Sequence, residues 1–117
     1  DVKAMLRYDR SKMLAHRYYR DWRDRVRGDE AFNLDAVSPI RMADRTGMPI
    51  LIGHGGKDTN VPPDQSEKFH TALLKAGKSS EYVLYPDSGH GTTNSKDTTD
   101  FLTRVEAFLT KHNPPDR

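Results

Sequence analysis

Cysteine is absent from the 117 residues. That excludes a disulfide frame and thiolate zinc sites, and it leaves the compartment open. No apolar run approaches the roughly 20 residues that a membrane-spanning helix needs, and the mean hydropathy is −0.87. Asp1-Val2-Lys3-Ala4-Met5 has no basic stretch followed by an apolar one, so no signal peptide is expected in these residues. An opening Asp in place of Met suggests a fragment or a processed product. Also missing is any G-x-S-x-G turn: Ser11, Ser38, Ser66, Ser79, Ser80, Ser88 and Ser95 all lack its flanking glycines.

What is present fits one small globular piece with 34% hydrophobic residues. Net charge is +2. The basic excess sits early, from Arg7 to Arg27, among Tyr8, Tyr18, Tyr19 and Trp22. Basic residues interleaved with aromatics can form a nucleic-acid surface. Here Asp9, Asp21, Asp24, Asp29 and Glu30 alternate with the arginines, and charge alone would carry that reading, so no nucleic-acid partner is expected.

Ala15, Tyr19, Trp22 and Val26 recur at helical spacing and predict a helix over 11–27, with Ser11 as N-cap and Gly28 as its stop. The aromatic stripe is read as packing surface, with a substrate pocket as the alternative. Ser38-Pro39 fixes an extended or turn conformation, with short helical turns on either side. Met48 to Gly53 is a continuous apolar run, the pattern of a strand buried on both faces in a parallel sheet. Pro62 and Pro63 suit the start of a helix over 63–77, with Phe69, Leu73 and Ala76 inside and Gly77 as its C′ residue. Glu81 to Tyr85 reads as a second strand closed by Pro86. A last helix over about 97–112 carries Phe101, Leu102, Val105, Phe108 and Leu109 on one face.

The expected fold class is therefore α/β, with two parallel strands, 48–53 and 81–85, joined by a right-handed crossover. Two apolar parallel strands cannot stand alone in water, because each has two faces to cover and an edge of unpaired amides. The piece is expected to complete a larger sheet, or to self-associate through the 48–53 edge.

Asp58 and His90 follow these two strands in polar, glycine-bearing loops. Enough chain separates them for one crossover helix and a return strand, which places carboxylate and imidazole side by side at the strand ends. Together they form the acid–base half of a Ser-His-Asp relay. Asp87 is the rival acid, three residues before His90, where a local contact is more often a turn feature. A second alternative joins His54, Asp58, Asp87 and His90 as nitrogen and oxygen ligands of zinc. Their spacing is not a tight helical pair, and His54 is expected to pack beneath the loop. His16, His70 and His112 read as helix-face residues.

Ser38-Pro39-Ile40, Ala43, Met48 through Asp58, Val61-Pro62, Gln65-Ser66, Leu73, Gly77-Lys78, Tyr85-Pro86 and Gly89-His90-Gly91 together resemble the C-terminal part of the prolyl oligopeptidase catalytic domain, an α/β-hydrolase fold. The resemblance covers about 35–112. Residues 1–34 are similar only in kind, to the variable helical segment after the sixth strand. The resemblance implies that Asp58 is the triad acid after the seventh strand and His90 the base after the eighth. It implies an upstream serine on a G-x-S-x-G elbow, with the oxyanion-hole amides also upstream. The implied activity is peptide-bond hydrolysis without a cofactor, absent from this chain alone, on a peptide or acyl substrate. An esterase or acylaminoacyl-peptide hydrolase on the same fold, and a non-catalytic association module, remain alternatives.

Overall fold

The computed structural model describes residues 1–13, 17–28 and 32–114, the side chains of 9–13 and 17–19 excepted. The chain divides into two compact units, Asp1–Met42 and Ala43–Arg117.

In the first unit, α1 spans Val2–Met13 and α2 spans Arg17–Arg27. The helix expected over 11–27 falls on α1 and α2, and Ser11 lies within α1, so it is not an N-cap. Leu14, Ala15 and His16 fall outside the described residues, and so does the expectation that His16 lies on a helix face. The stripe is not a buried one where it is described: Trp22 and Val26 each keep 39% of their surface exposed. Gly28 stops α2 as expected, with φ of 64° and its N–H on the Asp24 carbonyl. Ser38 is extended, as a residue before proline should be. Two 3₁₀ turns flank it, Leu34–Val37 and Pro39–Arg45. Ser38 is fully buried; its hydroxyl donates to the Leu34 carbonyl and accepts the Val2 N–H.

The second unit holds β1 (Ile50–Gly55), α3 (Asp64–Lys75), β2 (Ser80–Tyr85) and α4 (Ser95–His112). The strands pair in parallel, Ile50 opposite Ser80 through Gly55 opposite Tyr85. Pairing begins at Ile50, whose N–H reaches the Ser79 carbonyl, and continues to Gly55. The strand therefore runs two residues further toward the site than the expected 48–53.

Side chains alternate across the sheet. His54 meets Ser66 of α3 at 2.6 Å. On β2, Ser80 meets His70 at 2.8 Å, and Tyr82 stacks on the same ring. Gly53 faces Phe101 of α4, Tyr85 bonds Asp100, and Glu81 reaches Lys111. The two helices thus cover opposite faces of the sheet. Gly77, at φ 70°, ends α3 in a Schellman turn: the Gly77 N–H bonds the Leu74 carbonyl and the Lys78 N–H bonds the Leu73 carbonyl.

Leu73 is fully buried and Tyr85 nearly so. Leu102 and Leu109, expected on the inner face of α4, are 60% and 48% exposed, whereas Phe101, Val105 and Phe108 are half-buried. No helix of the described residues is long and apolar enough to cross a membrane.

Candidate active site

The loop after β1 and the loop after β2 are tied together through the backbone. The Gly56 N–H donates to the Tyr85 carbonyl at 2.7 Å, and the Lys57 N–H to the Ser88 carbonyl at 2.9 Å. Gly55 and Gly56 serve close approach here, not a left-handed turn. A Cβ on Gly55 would lie 2.0 Å from the Gly89 carbonyl oxygen, and one on Gly56 would lie 2.7 Å from Pro86 Cα. The glycine that does need its freedom is Gly91, at φ 95°, immediately after His90.

This seam brings Asp58 and His90 together. His90 Nδ1 lies 3.0 Å from Asp58 Oδ2. The Asp58 side chain is 5% exposed and the His90 ring 61%. Asp58 Oδ1 accepts the N–H groups of Asn60 and Val61 at 2.8 and 2.9 Å. Burial alone would raise the Asp58 carboxyl. The Val61 N–H, the His90 hydrogen bond, the Asn60 N–H and the His90 charge outweigh that and hold it below its ordinary 3.8. An ionised carboxylate only accepts, so the His90 proton sits on Nδ1. In the neutral ring Nε2 is then the basic nitrogen, carried on an exposed edge.

Asp87 is elsewhere. Its carboxylate is 79% exposed and pairs with Lys57 at 2.8 Å, and that hydrogen bond lowers its pKa. The four residues of the zinc alternative are therefore not gathered. Among the described residues, no three His, Asp or Glu side chains stand where they could hold a metal ion.

His54 does more than pack beneath the loop. Its Nε2 lies 3.0 Å from the Val61 carbonyl and 3.3 Å from Asp58 Oδ2, and its Nδ1 lies 2.6 Å from Ser66 Oγ. Ser88 is a second residue whose part the sequence did not reveal. It is fully buried, donates to Asp97 Oδ2 at 2.6 Å and accepts the Thr93 N–H at 3.2 Å. It thereby fastens the His90 loop to the first turn of α4, where Asn94 caps the helix through the Asp97 N–H. These hydrogen bonds join residues 5 to 12 apart across the ends of elements, and no motif spacing announces them. An open cleft of about 420 Å³ lies over Asp58 and His90, walled by His54, Val61, Tyr85 and Phe101.

The model of the prolyl oligopeptidase family matches residues 2–114. The chain belongs to the prolyl oligopeptidase family.

Dipeptidyl peptidase family member 6 of Caenorhabditis elegans is 36% identical over 77 residues, which is 66% of this chain and 10% of that protein. Dipeptidyl aminopeptidase BIII of Pseudoxanthomonas mexicana is 35% identical over 62% of this chain and 10% of its own length. A Salmonella typhimurium protein named as a carboxymethylenebutenolidase is 35% identical over 59% of this chain and 25% of itself. The chain thus spans between a tenth and a quarter of these relatives. Among solved structures, a Klebsiella pneumoniae protein named as a dienelactone hydrolase aligns with a TM-score of 0.57 and 26% identity, over 63% of this chain and 34% of that one. Family and neighbour agree on the α/β-hydrolase fold that the resemblance implied, and the two parallel strands with their crossover have the α/β arrangement expected from the sequence.

Proposed function

We propose that these residues supply the acid and the base of a Ser-His-Asp hydrolase, with His90 as base and Asp58 as the group that orients it. The observation that carries this reading is the 3.0 Å contact of His90 Nδ1 with the buried Asp58 carboxylate, at the carboxyl ends of paired parallel strands. In the reaction, His90 Nε2 takes the proton of a serine hydroxyl as the serine oxygen attacks the acyl carbon. Asp58 holds the Nδ1–H and stabilises the imidazolium. His90 then returns the proton to the leaving amine, and water repeats the sequence on the acyl-enzyme.

No serine of this sequence stands on a G-x-S-x-G elbow, so the nucleophile belongs to residues outside these 117. Nucleophile and oxyanion donors supply most of the rate, and the 117 residues alone are inactive in this account. The substrate is a peptide, in line with the two dipeptidyl peptidase relatives. The relative named as a carboxymethylenebutenolidase and the solved neighbour favour an ester-cleaving reading as the second one.

The test is turnover of dipeptidyl amides and simple esters by the full-length protein that carries these residues, together with labelling by a fluorophosphonate. His90→Ala should abolish both turnover and labelling, and the label should map to a serine outside residues 1–117. Undiminished turnover in His90→Ala, or a label on a serine within these residues, would contradict the reading.

A further inference from the structure

His54 sits at the end of β1, with its side chain 8% exposed. Its Nε2 faces two oxygens that can only accept, the Val61 carbonyl at 3.0 Å and the ionised Asp58 Oδ2 at 3.3 Å. Nε2 must therefore carry the proton. In the neutral ring Nδ1 is then an acceptor, and the Ser66 hydroxyl at 2.6 Å donates to it. Ser66 lies in the first turn of α3, so β1, the Asp58 loop and α3 are joined through one imidazole.

The consequence falls on Asp58. Its Oδ1 is held by the N–H groups of Asn60 and Val61, and Val61 is itself held by His54 through its carbonyl. Its Oδ2 lies between two imidazoles, His90 Nδ1 at 3.0 Å and His54 Nε2 at 3.3 Å. Rotation of the carboxylate would break contacts at both oxygens. We propose that His54 is a positioning residue of the acid–base pair, its Nε2–H held on the Val61 carbonyl, which keeps the Val61 N–H on Asp58 Oδ1 and so presents Oδ2 to His90 Nδ1, with Ser66 fixing the His54 tautomer. His54 touches no reacting atom and acts through Asp58. The inference rests on the assignment of Asp58 and His90 as acid and base.

The experiment uses the full-length protein, three variants at His54, and His90→Ala beside them. His54→Gln keeps an N–H near the Nε2 position. His54→Asn keeps a polar group only near Nδ1. His54→Phe keeps neither. Turnover is measured together with the ¹⁵N chemical shifts of the His90 ring, which report its tautomer. In the wild type His90 should be the single Nδ1–H form. In His54→Asn and His54→Phe, kcat should fall about 10–100-fold at little change in KM, the cost of a misplaced group that acts in the transition state. A second His90 tautomer should appear with it, and His54→Gln should recover both kcat and the single tautomer.

Wild-type kcat in His54→Phe would overturn the proposal, as would a loss in all three variants with the His90 tautomer unchanged. Either result with an inactive His90→Ala would leave the acid–base pair standing; an active His90→Ala would remove the pair itself. Where His54→Phe does not fold, Ser66→Ala carries the test, because it frees the His54 ring without emptying the site. A second His90 tautomer in Ser66→Ala supports the proposal, and a single one overturns it.

Discussion

At the scale of single residues, the two aspartates show what burial and partners do to the same functional group. Asp87 is exposed and paired with a lysine, a surface contact of little energetic weight. Asp58 is buried, and its carboxylate meets two backbone N–H groups and two imidazoles. Strand-and-loop context favoured Asp58 in the sequence, since only Asp58 follows the apolar run through a glycine turn. The part played by His54 was not legible, because its partners Ser66 and Val61 come from a helix and a loop whose approach is tertiary. The depressed Asp58 pKa has a consequence for stability. A carboxyl with a lowered folded pKa contributes stability that is present above its unfolded value, about 3.9, and lost as pH falls through the folded one. Urea midpoints of wild type and Asp58→Asn should therefore differ most near neutral pH and converge in acid. A gap that stays constant down to pH 2 would show that the Asp58 charge adds nothing to folding.

At the scale of elements, punctuation by proline and glycine was legible where backbone chemistry alone decides. Gly77 ends α3, Pro86 closes β2, and the apolar run before Gly53 forms a strand. The N-terminal helices were less legible. Charges alternate there so densely that a stripe can be drawn in more than one register, and the one drawn over 11–27 begins inside α1. The role of Gly55 was not legible either, because it is a close approach between two loops. Its hydrogen atoms face the backbone of the His90 loop, and neither side can yield by rotating a side chain. Gly55→Ala should cost about 1–3 kcal/mol, the scale of an overpacked site, and should separate Asp58 from His90. Gly47→Ala is the control, since nothing lies within 4 Å of its added methyl and its φ is not positive. Thermal unfolding and turnover of the two variants check this; equal behaviour would mean that the seam between the loops is not tight.

At the scale of the whole molecule, each strand has one partner among the described residues, so the sheet is two strands wide. Met48, Leu74, Leu84, Leu102 and Leu109 remain between 44% and 76% exposed in the second unit. A unit with so few buried side chains is marginal by itself, and an unpaired edge beside Ile50, Leu51 and Ile52 accepts whatever strand is offered. Further strands of the same fold are the proposed cover. The isolated 117 residues should therefore form dimers or larger species, or fold poorly. Sedimentation across concentration, with hydrogen exchange at the edge-facing Leu51 and Gly53 amides, measures this. A cooperative monomer at micromolar concentration with those amides strongly protected would contradict it.

The central claim is the acid–base pair, and kcat of Asp58→Asn against Asp87→Asn in the full-length protein tests it most directly. Asp58→Asn should lower kcat by roughly 10⁴-fold, the scale of a wrong imidazole tautomer in a serine protease triad. Asp87→Asn should lower it by less than about tenfold, because its carboxylate moves no proton. The reverse order, with Asp87→Asn the more damaging, would contradict the account.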